Sequence, residues 1–138
     1  MTRRQSSRLA VETFVAIAAA AAGAVLFALN SEVRSDSIFS GWNLLQELAP
    51  DIAFFTVGLV LRARRPGNLV GSLCFTIGAL GFVGWLATQY AGYGILTHPG
   101  SLPGAFGVEI ALQGSWAVEI AFLVVLICVF PTGRLLPG

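Results

Sequence analysis

Four long apolar stretches constrain the fold of this chain more than any other feature of its sequence. The first covers residues 9–29 almost without interruption, and three more follow at about 42–64, 69–90 and 106–130. A helix of about 20 apolar residues crosses the hydrocarbon core of a bilayer. The sequence therefore predicts an all-α integral membrane protein, a single membrane domain over residues 1–138 that forms a four-transmembrane-helix bundle.

The scarcity of charge supports the same class. Only 11% of the 138 residues are charged and 56% are hydrophobic, whereas an ordinary soluble domain carries about 25% charged residues. The net charge of +1 provides no strong field to attract nucleic acid. We therefore expect the lipid bilayer to cover the chain, and we expect neither a soluble enzyme nor a nucleic-acid partner.

The arginines predict the orientation of the spans. Seven of the eight basic residues precede the first stretch, lie at the end of the second or just after it, or follow the fourth, and only Arg34 lies on the other side. The topology determinants beyond the first span are Arg62, Arg64, Arg65 and Arg134. Because basic residues favour the cytoplasmic side, both termini are expected in the cytoplasm of a bacterium, with outer loops at about 30–41 and 91–105.

The first stretch also resembles the start of a secreted protein, since arginines precede it. A cleavable signal peptide has an apolar core of about 7–15 residues, and this stretch is longer. We therefore expect an uncleaved signal-anchor in the bacterial cytoplasmic membrane.

Polar residues inside the apolar stretches are the candidates for function, because ionisable groups are costly in a bilayer. Glu47 and Asp51 share one face of the second helix, and Glu109 and Gln113 share one face of the fourth. The predicted orientation places all four in the outer half of the membrane. They predict an acidic, outward-open crevice that could bind a cation, a proton or a cationic amphiphile. The alternative is that Glu47 and Asp51 lie in the headgroup layer, where Pro50 and Asp51 begin the helix.

Glu119 lies near the middle of the fourth stretch and therefore near the membrane midplane. A carboxyl group there is expected to bond to a polar group across the bundle, such as Ser115 or Thr56. The alternatives are a part in a functional relay and a position that a partner covers.

No catalytic or metal-binding pattern accompanies these acids. His98 is the only histidine and has no cysteine or glutamate at a ligand spacing. Nucleotide-binding, zinc-protease and serine-hydrolase motifs are absent from the sequence. We expect a non-catalytic protein without a metal or another cofactor.

Small residues predict where the helices pack. The third stretch carries a near-heptad stripe of Gly71, Cys74, Gly78, Gly81 and Trp85. Small faces let helix backbones approach closely in lipid. Asn68 follows the Pro66-Gly67 turn and is expected to cap this helix. Glu12 is expected to pair with Arg8 in the first turn of the first helix.

Two segments carry a resemblance to a known family. Residues 51–80 contain an Arg-Arg-Pro-x-Asn-x-x-Gly turn, and residues 130–138 read Phe-Pro-Thr-Gly-Arg-Leu-Leu-Pro-Gly. Both resemble segments in the multi-span membrane regions of actinobacterial-type sensor histidine kinases. In that family, further membrane helices, a phosphoacceptor-histidine helix and an ATP-binding domain follow these segments, and none of them is present here. The resemblance implies an input module without its transmitter.

Three functions remain open from the sequence. The first is a sensor-like input module that relays a signal to a partner membrane protein or kinase. The second is a small transporter or ion-path subunit, and the third is a structural subunit of a larger membrane complex.

Overall fold

The computed structural model describes residues 3–30 and 41–130, and this part of the chain is helical without strands. The helices are α1 (Arg3–Leu29), α2 (Gly41–Arg64), α3 (Leu69–Gly92), α4 (Ala105–Leu112) and α5 (Ser115–Val129), and a π-helical turn, Tyr93–Thr97, continues α3. The all-α prediction is therefore confirmed. The predicted loop at 30–41, apart from its two ends, and Arg134 with the C-terminal motif lie outside the described residues.

Three helical segments of the described chain are long and apolar enough to cross a membrane. They are Arg4–Leu29, Leu69–Thr97 and Ala105–Val129. Large apolar side chains also face outward from these helices: Phe14 is 72% exposed, Trp116 62% and Ile127 67%. Such an apolar exterior suits hydrocarbon as its surroundings, and it supports the prediction of a membrane protein.

The structure differs from the predicted helices at two places. A turn at Gln113 and Gly114 separates α4 from α5 where the sequence predicts one helix over 106–130. Glycine at this position favours the break, because glycine loses more conformational entropy than any other residue when its backbone becomes helical. The other difference is the predicted outer loop at 91–105, whose first half is helical as far as Thr97. Ala91 and Gly94 of this segment are buried, so it packs against the bundle and is not an exposed loop.

Helix α3 is the centre of the bundle, since α1, α2, α4 and α5 all pack against it. Thirteen of its residues are buried, whereas in α5 only Leu126 and Val129 are. One apolar cluster joins α3 to α5 through Ile77 and Leu126. A second cluster joins α1, α2 and α3, with the ring of Phe55 against Phe75 at 4.9 Å between centroids.

Glycines bring α2 and α3 into backbone contact. A Cβ atom added at Gly58 would overlap the backbone of Phe75, and one added at Gly71 would lie 2.7 Å from Cβ of Leu61. A Cβ atom at Gly78 would overlap the backbone of Phe55. These contacts run in opposite directions along the two helices, so α2 and α3 form an antiparallel hairpin. The predicted packing role of the small residues on α3 is thereby confirmed.

The turn between α2 and α3 is defined by two residues. Gly67 has φ = +93°, a conformation that side chains with a Cβ atom disfavour. The Asn68 side chain accepts hydrogen bonds from the backbone N–H groups of Val70 (2.9 Å) and Gly71 (3.4 Å). Asn68 is therefore the N-cap of α3, as predicted.

One predicted pair is wrong. Glu12 does not pair within its own helix with Arg8 but accepts an ion pair from Arg62 of α2, with 2.7 Å between Oε2 and Nη2. The Arg62 guanidinium also lies 4.4 Å from the centroid of the Phe75 ring. Packing of α1 and α2 on the same helix brings Arg62 within reach, which the helical spacing in the sequence does not reveal.

Candidate functional site

An acidic crevice of about 330 Å³ lies between α2, α3, α4 and α5. Three carboxylates line it: Glu47 and Asp51 from α2, and Glu119 from α5. The remaining wall includes Trp85 and Thr88 of α3. The structure thus brings two acids of the predicted outer crevice together with the predicted midplane acid.

A glycine makes room for Asp51. A Cβ atom added at Gly81 would overlap Cγ and both carboxylate oxygens of Asp51. The carboxylate therefore lies directly against the backbone of α3. Asp51 lines the same crevice as Glu119 and Glu47. Since all three groups are acids, their proximity favours a positively charged occupant of the crevice.

Glu119 reaches the crevice from α5 next to a second glycine of α3. A Cβ atom built on Gly84 would lie 3.9 Å from Oε1 of Glu119, an ordinary contact. The polar partners expected for Glu119 are engaged or located elsewhere. Ser115 donates its hydroxyl to the carbonyl of Leu112 at 2.8 Å, and Thr56 is exposed outside the crevice. Within the described residues, neither forms a hydrogen bond with the Glu119 carboxylate.

Trp85 connects the crevice to α1. It is only 6% exposed, and a Cβ atom added at Gly23 of α1 would lie 2.5 Å from its Cε3. Its Nε1 is on the opposite edge of the indole ring and, in the described part of the chain, has no hydrogen-bond acceptor. A buried donor without an acceptor is costly, so this N–H group offsets part of the stability gained by burying the indole ring.

The other two predicted crevice residues do not line it. Glu109 lies on α4, and Gln113 lies in the turn between α4 and α5. The Gln113 side chain is exposed, and its backbone carbonyl accepts a hydrogen bond from Trp116 Nε1 at 2.8 Å. The prediction that Glu109 and Gln113 line one crevice with Glu47 and Asp51 assumed one continuous helix over 106–130. The structure instead ends α4 at Leu112 and begins α5 at Ser115, and neither Glu109 nor Gln113 lines the crevice.

A buried polar network lies at the ends of α1 and α3, and sequence reasoning did not find it. Asn30 donates through Nδ2 to the carbonyl and Oε1 oxygens of Gln89, each at 3.1 Å. Its Oδ1 accepts from Thr97 Oγ1 at 2.8 Å. Asn30 is 1% and Gln89 3% exposed. In the sequence, Asn30 and Gln89 each lie at the end of an apolar stretch. That position predicts a similar depth in the membrane for the two side chains, but it does not predict their contact.

The crevice is not arranged as a metal site. Over residues 3–30 and 41–130, no group of three or more His, Cys, Asp or Glu side chains is placed to hold a metal ion. The hydroxyl of Thr88 donates to the carbonyl of Gly84 at 3.1 Å within its own helix. The arrangement instead offers acids from two helices and one aromatic residue, Trp85, groups that suit an organic cation.

Comparison with known proteins adds no relative to this picture. The chain matches no protein-family model, no curated protein and no solved structure.

Proposed function

We propose that this chain is a sensor-like input module of the bacterial cytoplasmic membrane that binds a cation in the acidic crevice and relays its presence to a partner protein. The observation that carries the proposal is the convergence of Glu47, Asp51 and Glu119 from two helices on one crevice. Acids within a bundle usually have a partner or a function, and these have no basic partner within the described residues. The role is binding and relay, without catalysis.

In this proposal α2 is the fourth span, and both termini are cytoplasmic. Helix α2 is 24 residues long, enough to cross a bilayer core. It packs along the glycine stripe of α3, which is itself a candidate span. Arg62 and Arg64 in its last turn mark the cytoplasmic end, and the pair between Arg62 and Glu12 joins that end to the start of α1.

The relay runs through α3 to α1. Trp85 lines the crevice, and its ring atoms Cε3 and Cζ3 lie against Gly23 of α1. An occupant that moves the indole therefore changes the contact between α3 and α1. The resemblance of the Arg64–Gly71 turn to sensor-kinase membrane regions supports a kinase or another membrane protein as the receiver.

Trp85 fluorescence in vesicles tests cation binding. The full chain with Trp42→Phe and Trp116→Phe retains Trp85 as its single tryptophan. Tetramethylammonium chloride is titrated at constant ionic strength, with sodium chloride as the reference. We expect a saturable change of emission that is lost in Asp51→Asn/Glu119→Gln and retained in the control Glu109→Gln, which removes an acid outside the crevice. An unchanged response in the double variant would overturn the proposal.

An ion path is the second candidate, because the acids extend from Glu47 and Asp51 of α2 to Glu119 of α5. The same vesicles distinguish the two functions. An input module binds the cation without passing it, whereas an ion-path subunit gives a cation flux that Glu119→Gln abolishes.

A further inference from the structure

A second cavity adjoins the acidic crevice and has a different chemistry. It measures about 320 Å³ and lies between α3 and the α4–α5 segment. The residues that line this cavity but not the acidic crevice are all apolar: Leu80, Val83, Ala87, Val108, Ala111 and Val118. The two cavities share Gly84, Leu112, Ser115 and Glu119. A ligand can therefore reach Glu119 from either side.

From this juxtaposition we infer that the ligand is a lipophilic organic cation, with its charge at the carboxylates and its hydrocarbon portion in the apolar cavity. This inference rests on the proposed cation-binding function and names the chemical class of the ligand. Ligand sites are typically apolar pockets with a few placed polar groups. The shared position of Glu119 gives the apolar cavity its one acid, so charge complementarity selects a cationic hydrophobe over a neutral one.

The cavity volume sets the size of the hydrocarbon portion. A cavity of about 150 Å³ lined by aliphatic side chains holds one benzene molecule. The apolar cavity of about 320 Å³ therefore accommodates the volume of about two aromatic rings. Val83 and Val118 on its wall are 48% and 50% exposed, so it opens on the side where lipid surrounds the helices. A lipophilic cation enters it from the bilayer.

The indole of Trp85 adds a contact for the charged end. It lines the acidic crevice together with Asp51. Aromatic faces attract organic cations that are already surrounded by carbon groups. The acidic crevice thus combines carboxylates with an aromatic wall, while the adjoining cavity supplies the apolar contact.

Binding of radiolabelled tetraphenylphosphonium to the full chain in lipid nanodiscs tests the inference, because two of its four phenyl rings match the volume of the apolar cavity. Empty nanodiscs serve to subtract partition into lipid. Tetraphenylborate has nearly the same shape and the opposite charge. Ala87→Phe on α3 and Ala111→Phe on α4 each fill the apolar cavity from a different wall. Ala121→Phe, at an exposed position of α5 outside both cavities, is the matched control. Circular dichroism and monodisperse elution verify that each variant folds.

We expect the dissociation constant of tetraphenylphosphonium to rise about tenfold or more in each cavity-filling variant and to stay unchanged in Ala121→Phe. Tetramethylammonium should still elicit the Trp85 response in these variants. Suppose that neither filling variant weakens the binding of tetraphenylphosphonium, while the binding of tetramethylammonium still requires Asp51 and Glu119. The lipophilic ligand class is then wrong and the proposed function stands. If tetraphenylborate binds equally well, the cavity holds any hydrophobe, such as a lipid acyl chain, and the inference fails. If Asp51→Asn/Glu119→Gln leaves both cations bound, both proposals fail.

Discussion

Replacing Gly58 by alanine tests the backbone contact between α2 and α3. The new Cβ atom would lie 2.5 Å from Cα and 2.8 Å from the carbonyl carbon of the facing residues Phe75 and Cys74, whereas ordinary contacts of a Cβ atom begin at 3.4 Å. These neighbours are backbone atoms and cannot rotate away as a side chain would. Relieving the overlap with Cα of Phe75 requires the two helices to separate locally by about 0.9 Å, and the backbone nitrogen of Phe75, which is nearer still, requires more.

The cost follows from that separation. A radial gap of about 0.5–1 Å forfeits roughly a quarter to a half of the dispersion attraction between facing atoms. Overpacking a well-packed core typically costs about 1–3 kcal/mol. Because the obstacle here is backbone, we expect the free energy of unfolding to fall by about 3 kcal/mol in Gly58→Ala.

Unfolding by sodium dodecyl sulfate in mixed micelles, followed by circular dichroism, measures the difference. Gly107→Ala on α4 is the matched control, because a Cβ atom there meets no atom within 4 Å. That variant should gain up to about 1 kcal/mol from the better helix propensity of alanine. A Gly58→Ala chain as stable as the Gly107→Ala chain would refute the close contact of α2 and α3.

Three further changes test single interactions by the same unfolding assay. Asn30→Leu leaves the buried Gln89 side chain without its partner and should cost about 1–3 kcal/mol; a loss below that of an exposed leucine substitution would contradict the network. Asn68→Ala removes the N-cap of α3 and should cost about 1 kcal/mol, with Asn68→Asp restoring most of it. A double-mutant cycle on Glu12 and Arg62 should give a coupling energy of no more than about 1 kcal/mol, since both side chains are partly exposed. A coupling energy several times larger would contradict this expectation and show that the pair is shielded from solvent.

Helix content and helix packing were predictable because both follow from local patterns. The spacing of Gly71, Gly78 and Gly81 places them on one face of a helix, and the structure shows α2 against that face. Asn68 could be identified as a cap from the turn that precedes it. Each of these inferences needs only residues within one helix or one turn.

The composition of the candidate site was predictable only in part, because it depends on relations between helices. Glu47 and Asp51 share a helix, so their proximity follows from helical periodicity. Glu119 joins them through the packing of α5 on α3, and no spacing in the sequence specifies that. Glu109 lies on α4 outside the crevice, and one glycine in an apolar run does not by itself predict the turn at Gly114. Asn30 and Gln89 lie 59 positions apart, and their contact needs the tertiary structure.

The antiparallel hairpin of α2 and α3 has a consequence for how the chain enters the membrane during synthesis. An aspartate at the centre of a helix costs about 2.5–3.5 kcal/mol when the translocon inserts that helix, and α2 carries Glu47 as well as Asp51. The turn at residues 65–68 is short, and Gly81 accommodates the Asp51 side chain. We therefore expect α2 to leave the translocon together with α3 as one unit. Glycosylation mapping should find α2 inserted when α3 follows it and translocated when an equally long polar segment replaces α3; efficient insertion of α2 without α3 would argue against a joint entry.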